Sequence, residues 1–102
     1  MPFLAICHDH PGPKSKTIRE AKLQEHFAYI ETILDRVLVA GPVSDSRPDE
    51  FGISLFIYDA EDRDDAEQLL QGDPYFKAGL YGEVQISPFL PAAGRWIGGT
   101  VW

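Results

Sequence analysis

The sequence has few basic residues, one cysteine and no long apolar run. Lysine and arginine number 9 against 16 aspartate and glutamate in 102 residues, which gives a formal net charge of −7. Such a chain does not neutralise a phosphate backbone or an anionic membrane, so we expect neither as a partner. The single cysteine, Cys7, excludes an internal disulfide, and its apolar neighbours favour a packed thiol over a nucleophile.

Targeting and spanning signals are also missing. No apolar run approaches the roughly 20 residues that a membrane span needs. Met1-Pro2 enters a strand-like segment directly, without the basic region of a signal peptide. The length is that of one domain. We therefore predict a single domain over residues 1–102 and a cytoplasmic location.

Strand-like and helix-like patterns alternate along the chain. Short apolar or β-branched runs predict four strands, at about 2–8, 37–40, 51–58 and 83–89. A first helix follows the loop at 8–17, with Ser15 or Thr17 as its N-cap, and a second ends at Gly72. The composition of Ser44 to Glu50 is typical of a turn, and this segment joins strands two and three. The order β-α-β-β-α-β predicts a ferredoxin-like α+β fold, a four-stranded antiparallel sheet with two helices on one face.

The first helix carries an apolar stripe and a histidine near it. Leu23, Phe27, Ile30 and Leu34 recur at helical spacing, and we predict that this stripe is buried. At about 100° per residue, His26 lies roughly 70° from the centre of the stripe. That position is the margin of the buried face, where an ordinary histidine would find a backbone or water partner.

Two apolar surfaces lack a predicted cover. Strands one and three are apolar on both faces, whereas the helices cover only one face of such a sheet. A second copy of the chain is the simplest cover, so we predict a homodimer packed sheet to sheet. The tail at 90–102 contains Trp96 and Trp102, and we expect it to be ordered on the partner chain or over a pocket mouth.

Asp73-Pro74 is open to two interpretations. Aspartate before proline is common in turns, where the carboxylate binds nearby backbone amides. Alternatively, Pro74 aims the carboxylate inward at an imidazole, which would then serve as a general base. His8 and His10 flank Asp9, but two histidines in a loop are weak evidence for a metal, and we predict none. No glycine-rich phosphate loop or catalytic serine elbow is present in the sequence.

The chain resembles a family, the YCII-related (YciI-like) proteins, over about residues 2–90. The resemblance rests on four features in this order: His26 within Leu23–Phe27, Ala40-Gly41-Pro42, the run from Asp73 to Tyr81, and Ile86-Ser87-Pro88-Phe89. It implies dimeric α+β barrels with a histidine–aspartate pair facing a pocket, here His26 and Asp73. Residues 90–102 fall outside it. Relatives often have arginine three residues before the histidine, where this chain has Leu23; its basic residues are Arg19 and Lys22 instead.

The resemblance also implies a reaction class. Some relatives with the dimeric barrel, such as dehydrochlorinases and muconolactone isomerases, act on ring-cleavage products. The resemblance therefore implies isomerisation, elimination or dehydrochlorination of a small organic, ring-type substrate, chemistry that needs no cofactor. We expect His26 and Asp73 to be catalytic, in a pocket near a dimer interface. Substrate contacts are expected from six further residues: Tyr75, Phe76, Tyr81, His8, Arg19 and Pro42. A ligand-binding module without chemistry, or a structural dimer used as an accessory subunit, remain open as alternatives.

Overall fold

The computed structural model describes residues 1–44 and 51–102. Its main sheet contains β1 (Phe3–Asp9), β2 (Val37–Ser44), β3 (Phe51–Tyr58) and β4 (Tyr81–Pro88). The helices are α1 (Pro13–Thr32), α2 (Arg63–Gln71) and the single turn α3 (Pro74–Lys77). A 3-10 turn (Leu34–Arg36) leads into β2. A second 3-10 turn (Arg95–Ile97) lies in the tail, between the two short strands β5 (Ala93–Gly94) and β6 (Gly99–Thr100).

The sheet is antiparallel, with strand order β2-β3-β1-β4. This confirms the ferredoxin-like α+β prediction. Side chains alternate between the two faces of each strand. The core lies on the helix side, where Phe3, Ala5 and Cys7 of β1 and Phe56 and Tyr58 of β3 are buried against α2. Leu4, Ile6 and the alternate residues of β3, Ile53, Leu55 and Ile57, therefore point to the opposite face and are partly exposed.

The first helix begins earlier than the sequence pattern predicts. Gly12 is the N-cap with φ 107°, a conformation that favours glycine, and Pro13 occupies the first turn. The prediction of Ser15 or Thr17 as N-cap is wrong. The Ser15 hydroxyl lies inside the helix and donates to the backbone oxygen of His10 at 2.5 Å, which ties α1 to the end of β1.

The buried face of α1 also differs from the prediction. Leu23, Phe27 and Leu34 of the apolar stripe are exposed, and Ile30 alone is partly buried. Leu23 and Phe27 border an open cleft rather than a packed core, and His26 on the same side of the helix is more deeply placed, with its side chain only 15% exposed. The physical reason is that α1 packs chiefly on α3 rather than flat on the sheet. A gap remains between α1 and β2–β3, and the inward face of the helix borders that gap.

Strand β2 continues past the predicted stop at Gly41-Pro42. Pro42 pairs with Ser54 of β3, and the strand ends at Ser44. Proline is tolerated here because β2 is an edge strand, so the missing N–H on its free side breaks no ladder hydrogen bond. Of the predicted turn at 44–50, residues 45–50 lie outside the described residues. The second helix ends at Gly72, as predicted, and Asp62 caps its start by accepting from the Asp65 amide at 2.8 Å.

The tail forms a small hairpin of β5 and β6. Trp96 and Trp102 are 81% and 82% exposed on the single chain, so neither packs over the pocket described below. Contact with a partner chain stays a prediction. Within the two described ranges, no helix is long and apolar enough to span a bilayer.

Candidate functional site

Asp73 is completely buried and does two things at once. Its Oδ1 accepts from the Tyr75 amide at 2.9 Å, so it caps α3 as an aspartate before proline commonly does. Both of its carboxylate oxygens also lie within hydrogen-bond distance of His26 Nδ1, at 2.8 and 2.9 Å. One carboxylate therefore makes both contacts, with the turn amide and with the imidazole, and the role of the imidazole as a general base stays a prediction.

The contact with Asp73 fixes the orientation of the imidazole. An ionised carboxylate can only accept hydrogen bonds, so Nδ1 of His26 carries the proton. Nε2 then holds the lone pair of the neutral ring, and it has no hydrogen-bond partner among the described residues. Tyr75 stacks on the same ring, with centroids 4.2 Å apart and planes 13° apart. Phe56 meets the His26 ring edge-on at 6.3 Å.

His26 borders a two-part cleft between α1 and the β2–β3 strands. The inner cavity has a volume of about 390 Å³ and contains the side chain of His26 in its wall. The outer cavity, of about 540 Å³, lies toward the start of α1. Four residues line both cavities: Arg19, Leu23, Pro42 and Tyr75. The size and the largely apolar walls suit a small organic molecule.

Arg19 lies at the junction of the two cavities. Its Nε donates to Asp9 Oδ2 at 2.5 Å, and its Nη2 donates to Asp9 Oδ1 at 2.8 Å and to the Ser54 hydroxyl at 3.0 Å. The guanidinium carbon lies 5.4 Å from the centre of the Tyr75 ring. Burial opposes the charge of Arg19, but the hydrogen bond and the attraction of Asp9 outweigh it, so the pKa of Arg19 is raised. Arg19 is therefore a permanent cation.

The predicted site residues divide into two groups. Arg19, Pro42 and Tyr75 line the cleft beside His26, and their contact with a substrate stays a prediction. Phe76 does not: it packs against the core on the α2 and β4 side. Tyr81 also lies in the core, with a buried hydroxyl. His8 follows Cys7 and so points to the sheet face away from α1. No group of three metal-binding side chains forms within 1–44 and 51–102.

The sequence patterns did not indicate Asp9 and Ser54. Strand alternation could have found both, since Asp9 continues the inward series Phe3, Ala5, Cys7, and Ser54 shares its face with Phe56. Their polarity at inward positions is the signal, because a polar side chain facing a core needs a partner. His10 was considered only for metal binding, and it lines the outer cavity.

The thiol and phenol groups near the His26–Asp73 pair, beneath the cleft, are neutral. Burial raises the pKa of Cys7 to about 12, and the charges of Asp73 and Asp9 add to this effect. Burial likewise raises the pKa of Tyr75, Tyr58 and Tyr81. All four therefore keep their protons at neutral pH. Tyr58 and Tyr81 have buried hydroxyls without a well-aligned hydrogen bond among the described residues, and the Tyr81 hydroxyl lies beside that of Ser54.

The fold and the cleft together define a class of protein. It is a ferredoxin-like α+β domain with the His26–Asp73 pair beneath its first helix. The family model of the YCII-related domain matches residues 1–90, and the chain belongs to that family. The match leaves the tail hairpin outside it, in agreement with the limit that the sequence resemblance set.

Known relatives extend the comparison. An uncharacterized protein of Haemophilus influenzae is 31% identical over 96 residues, covering 87% of this chain and 96% of its own. Among solved structures, the 5-chloro-2-hydroxyhydroquinone dehydrochlorinase TftG of Burkholderia phenoliruptrix, in complex with 2,5-dihydroxybenzoquinone, has a TM-score of 0.77. It is 27% identical, with 93% of this chain and 97% of that chain covered. A NIPSNAP family protein of Agrobacterium tumefaciens has a TM-score of 0.53 at 17% identity, with coverage of 89% and 92%, and shares the fold.

Proposed function

We propose that this protein is an enzyme without a cofactor that moves protons on a small ring compound, with His26 as general base and acid. The observation that carries the proposal is the 2.8 Å contact between His26 Nδ1 and a completely buried Asp73 carboxylate. A carboxylate held behind an imidazole fixes one tautomer, which is how a base is oriented for proton transfer. The structural similarity to a dehydrochlorinase supports this reaction class.

The reaction begins when Nε2 of His26 takes a proton from a carbon of the bound ring. The resulting imidazolium remains hydrogen-bonded to Asp73, whose negative charge stabilises it. The electron pair of the broken C–H bond forms a new double bond. In an isomerisation, His26 returns the proton to another atom of the substrate; in an elimination, a leaving group departs with its bonding electrons from the neighbouring carbon. In both outcomes the protons and electron pairs are accounted for without a metal or a redox partner.

The cleft walls favour a flat substrate. Leu23, Phe27, Pro42 and Phe56 line the inner cavity with apolar surface, and Tyr75 adds an aromatic ring. We propose further that the working form is a homodimer through the uncovered sheet face. That face presents the partly exposed apolar residues Leu4, Ile6, Leu55 and Ile57 in the centre of the sheet, on β1 and β3. Burial of such a surface stabilises an association.

Deuterium exchange tests the proposal without knowledge of the natural substrate. The neutral ring ketone 2-tetralone, in D2O with the wild-type protein, should exchange its C1 protons faster than in buffer alone, as followed by proton NMR. His26→Gln should remove the acceleration, since general-base catalysis contributes about 10²- to 10⁴-fold.

His8 provides the matched control. It lies on the opposite sheet face, so His8→Gln should keep the exchange rate. Equal exchange in wild type and His26→Gln would contradict the proposal. Binding of 2-tetralone with no acceleration of exchange in the wild type would instead favour a ligand-binding module.

A further inference from the structure

Arg19 combines a fixed position with unused donors. A guanidinium has five N–H groups. The one on Nε and both on Nη2 are engaged by Asp9 and Ser54, which leaves the two on Nη1 without a partner among the described residues. The buried side-chain polar atoms that lack a well-aligned hydrogen bond in the described chain are the Tyr58 and Tyr81 hydroxyls. Nη1 is therefore not sealed inside the protein, and Arg19 borders both cavities of the cleft.

The surroundings of Arg19 hold it rigid. Its side chain is 15% exposed and that of Asp9 is 9% exposed, and the two form a bidentate fork. Such a fork restricts the planar group in orientation as well as position. Ser54 adds a third contact from β3. A donor that is already oriented loses little conformational freedom when it binds a ligand.

Arg19 and His26 can reach the same small molecule. Both lie near the ring of Tyr75: the guanidinium carbon is 5.4 Å and the imidazole centroid 4.2 Å from its centre. They cannot be farther apart than the sum of these distances. A ring carbonyl oxygen bound by Arg19 and a C–H on the neighbouring carbon, facing His26, can fit within that span.

The charge around the inner cavity determines whether Arg19 would bind a carboxylate or a neutral carbonyl oxygen of a ligand. Among the described residues in its wall, Arg19 is the one permanent cation, and Glu31 lies in the same wall. The charge of Arg19 is balanced by Asp9, and the Asp73 carboxylate lies behind His26. A carboxylate ligand would therefore meet more negative than positive charge. A neutral carbonyl oxygen would not be repelled. Its hydrogen bond from Arg19 would become strongest when negative charge develops on the oxygen during the reaction.

Resting on the function proposed above, we infer that the substrate is a neutral ring compound with a carbonyl oxygen, which Arg19 Nη1 binds while His26 removes a proton from the adjacent carbon. The C–H electron pair moves into a carbon–carbon double bond, and the carbonyl electrons move onto the oxygen as an enolate. Arg19 stabilises that oxyanion by a charge-assisted hydrogen bond. When the enolate collapses, His26 supplies the proton or a leaving group departs. Asp9 is the positioning residue, because it orients Arg19 and sets the charge of the site.

The test compares three probes of similar size by ligand-observed NMR titration: 2-tetralone, the same ring system without oxygen (tetralin), and 2-naphthoate. The wild type should bind 2-tetralone more tightly than either of the others. In the double variant Asp9→Asn/Arg19→Met, which leaves no unpaired buried charge, 2-tetralone should bind about tenfold or more weakly. The weak binding of tetralin should stay the same. Arg63→Met, at an exposed arginine of α2 that contacts Glu67, is the matched control and should bind like wild type.

Asp9→Asn alone distinguishes a role in binding from a role in folding. Removal of its charge leaves Arg19 uncompensated, so the preference should shift from 2-tetralone toward 2-naphthoate. An unchanged preference in Asp9→Asn, an unchanged affinity in the double variant, or tighter binding of 2-naphthoate by the wild type would each overturn the inference.

His26→Gln separates this inference from the proposed function. That variant should still bind 2-tetralone through Arg19 although it no longer exchanges its protons. If binding depends on Arg19 but exchange does not depend on His26, the inference on ligand class stands and the proposed enzyme function fails. If exchange depends on His26 but binding is indifferent to Arg19, the enzyme function stands and the inference fails.

Discussion

The imidazole of His26 lies parallel to the ring of Tyr75, with centroids 4.2 Å apart, although the two residues belong to different helices. Asp73 explains the arrangement, because it accepts hydrogen bonds from both His26 Nδ1 and the backbone amide of Tyr75. The tyrosine hydroxyl completes the link by donating to the backbone oxygen of Arg19 on α1 at 3.3 Å. Helix α1, the Asp-Pro turn and α3 thus form one unit beside the cleft.

Asp73→Asn should reverse the tautomer of His26. Asparagine can still cap α3 through its oxygen, so the fold should be kept. Its amide nitrogen would then face Nδ1 and donate to it, which forces the ring proton onto Nε2 and removes the free base from the cleft. Nitrogen-15 NMR of the imidazole should report the Nε2–H form, and exchange of 2-tetralone should fall by about 10²- to 10⁴-fold. An unchanged tautomer in the variant would refute this role of Asp73.

Cys7 should resist thiol reagents in the folded protein. Burial raises its pKa from 9.0 to about 12, so the reactive thiolate is scarce at pH 8. Titration with a chromogenic disulfide reagent should show no reaction until urea unfolds the chain, and then one thiol per chain. Rapid reaction of the native protein would show that the β1 core opens readily.

The same raised pKa predicts a loss of stability at alkaline pH. The folded state retains the thiol proton more strongly than the unfolded state, so the stabilisation is complete below about pH 9.0 and is lost as pH rises toward 12. Urea unfolding at several pH values should give a steeper alkaline decline for the wild type than for Cys7→Ala. Identical slopes would assign the decline to the buried tyrosines alone.

Asp65 should contribute stability that acid removes. The backbone amide of Glu61 donates to its carboxylate at 3.0 Å, and Arg36 forms an ion pair with it; together they lower the pKa of Asp65. A lowered folded pKa means that the contribution is present at neutral pH and is lost as pH falls through that value. Asp65→Asn should have a lower Tm at pH 7 and a smaller decrease in Tm on acidification. Glu67→Gln, which breaks an exposed pair with Arg63, should change little.

The tail hairpin offers an optical test of the proposed dimer. Trp96 and Trp102 are the two tryptophans of the sequence, and both are exposed on the single chain. If the tail packs on a partner chain, native emission should be blue-shifted relative to urea-unfolded protein and should shift red on dilution. Light scattering should give about twice the 11.4 kDa chain mass. A monomer by scattering would disprove the dimer, and a dimer with fully solvent-exposed tryptophan emission would place the tail outside the interface.

Local patterns predicted the element order well and the inward face of α1 poorly. The stripe of Leu23, Phe27 and Leu34 is real in sequence, yet these residues are exposed on the chain, with Leu23 and Phe27 lining the cleft. Periodicity identifies the apolar side of a helix but not whether a sheet, a cavity or a partner lies opposite. His26 was consequently placed at the margin, whereas it lies deep enough to meet Asp73.

The sequence by itself determined the strands, the helices and the Asp73-Pro74 turn, because alternation, helical periodicity and turn chemistry depend on neighbouring residues. It also indicated the family. The family resemblance paired His26 with Asp73, 47 positions apart in the chain. Only the tertiary structure showed that these side chains meet, and that Arg19 meets Asp9 and Ser54, which lie 10 and 35 positions from it. Such contacts depend on the distance between α1 and the sheet, and no local sequence pattern encodes that distance.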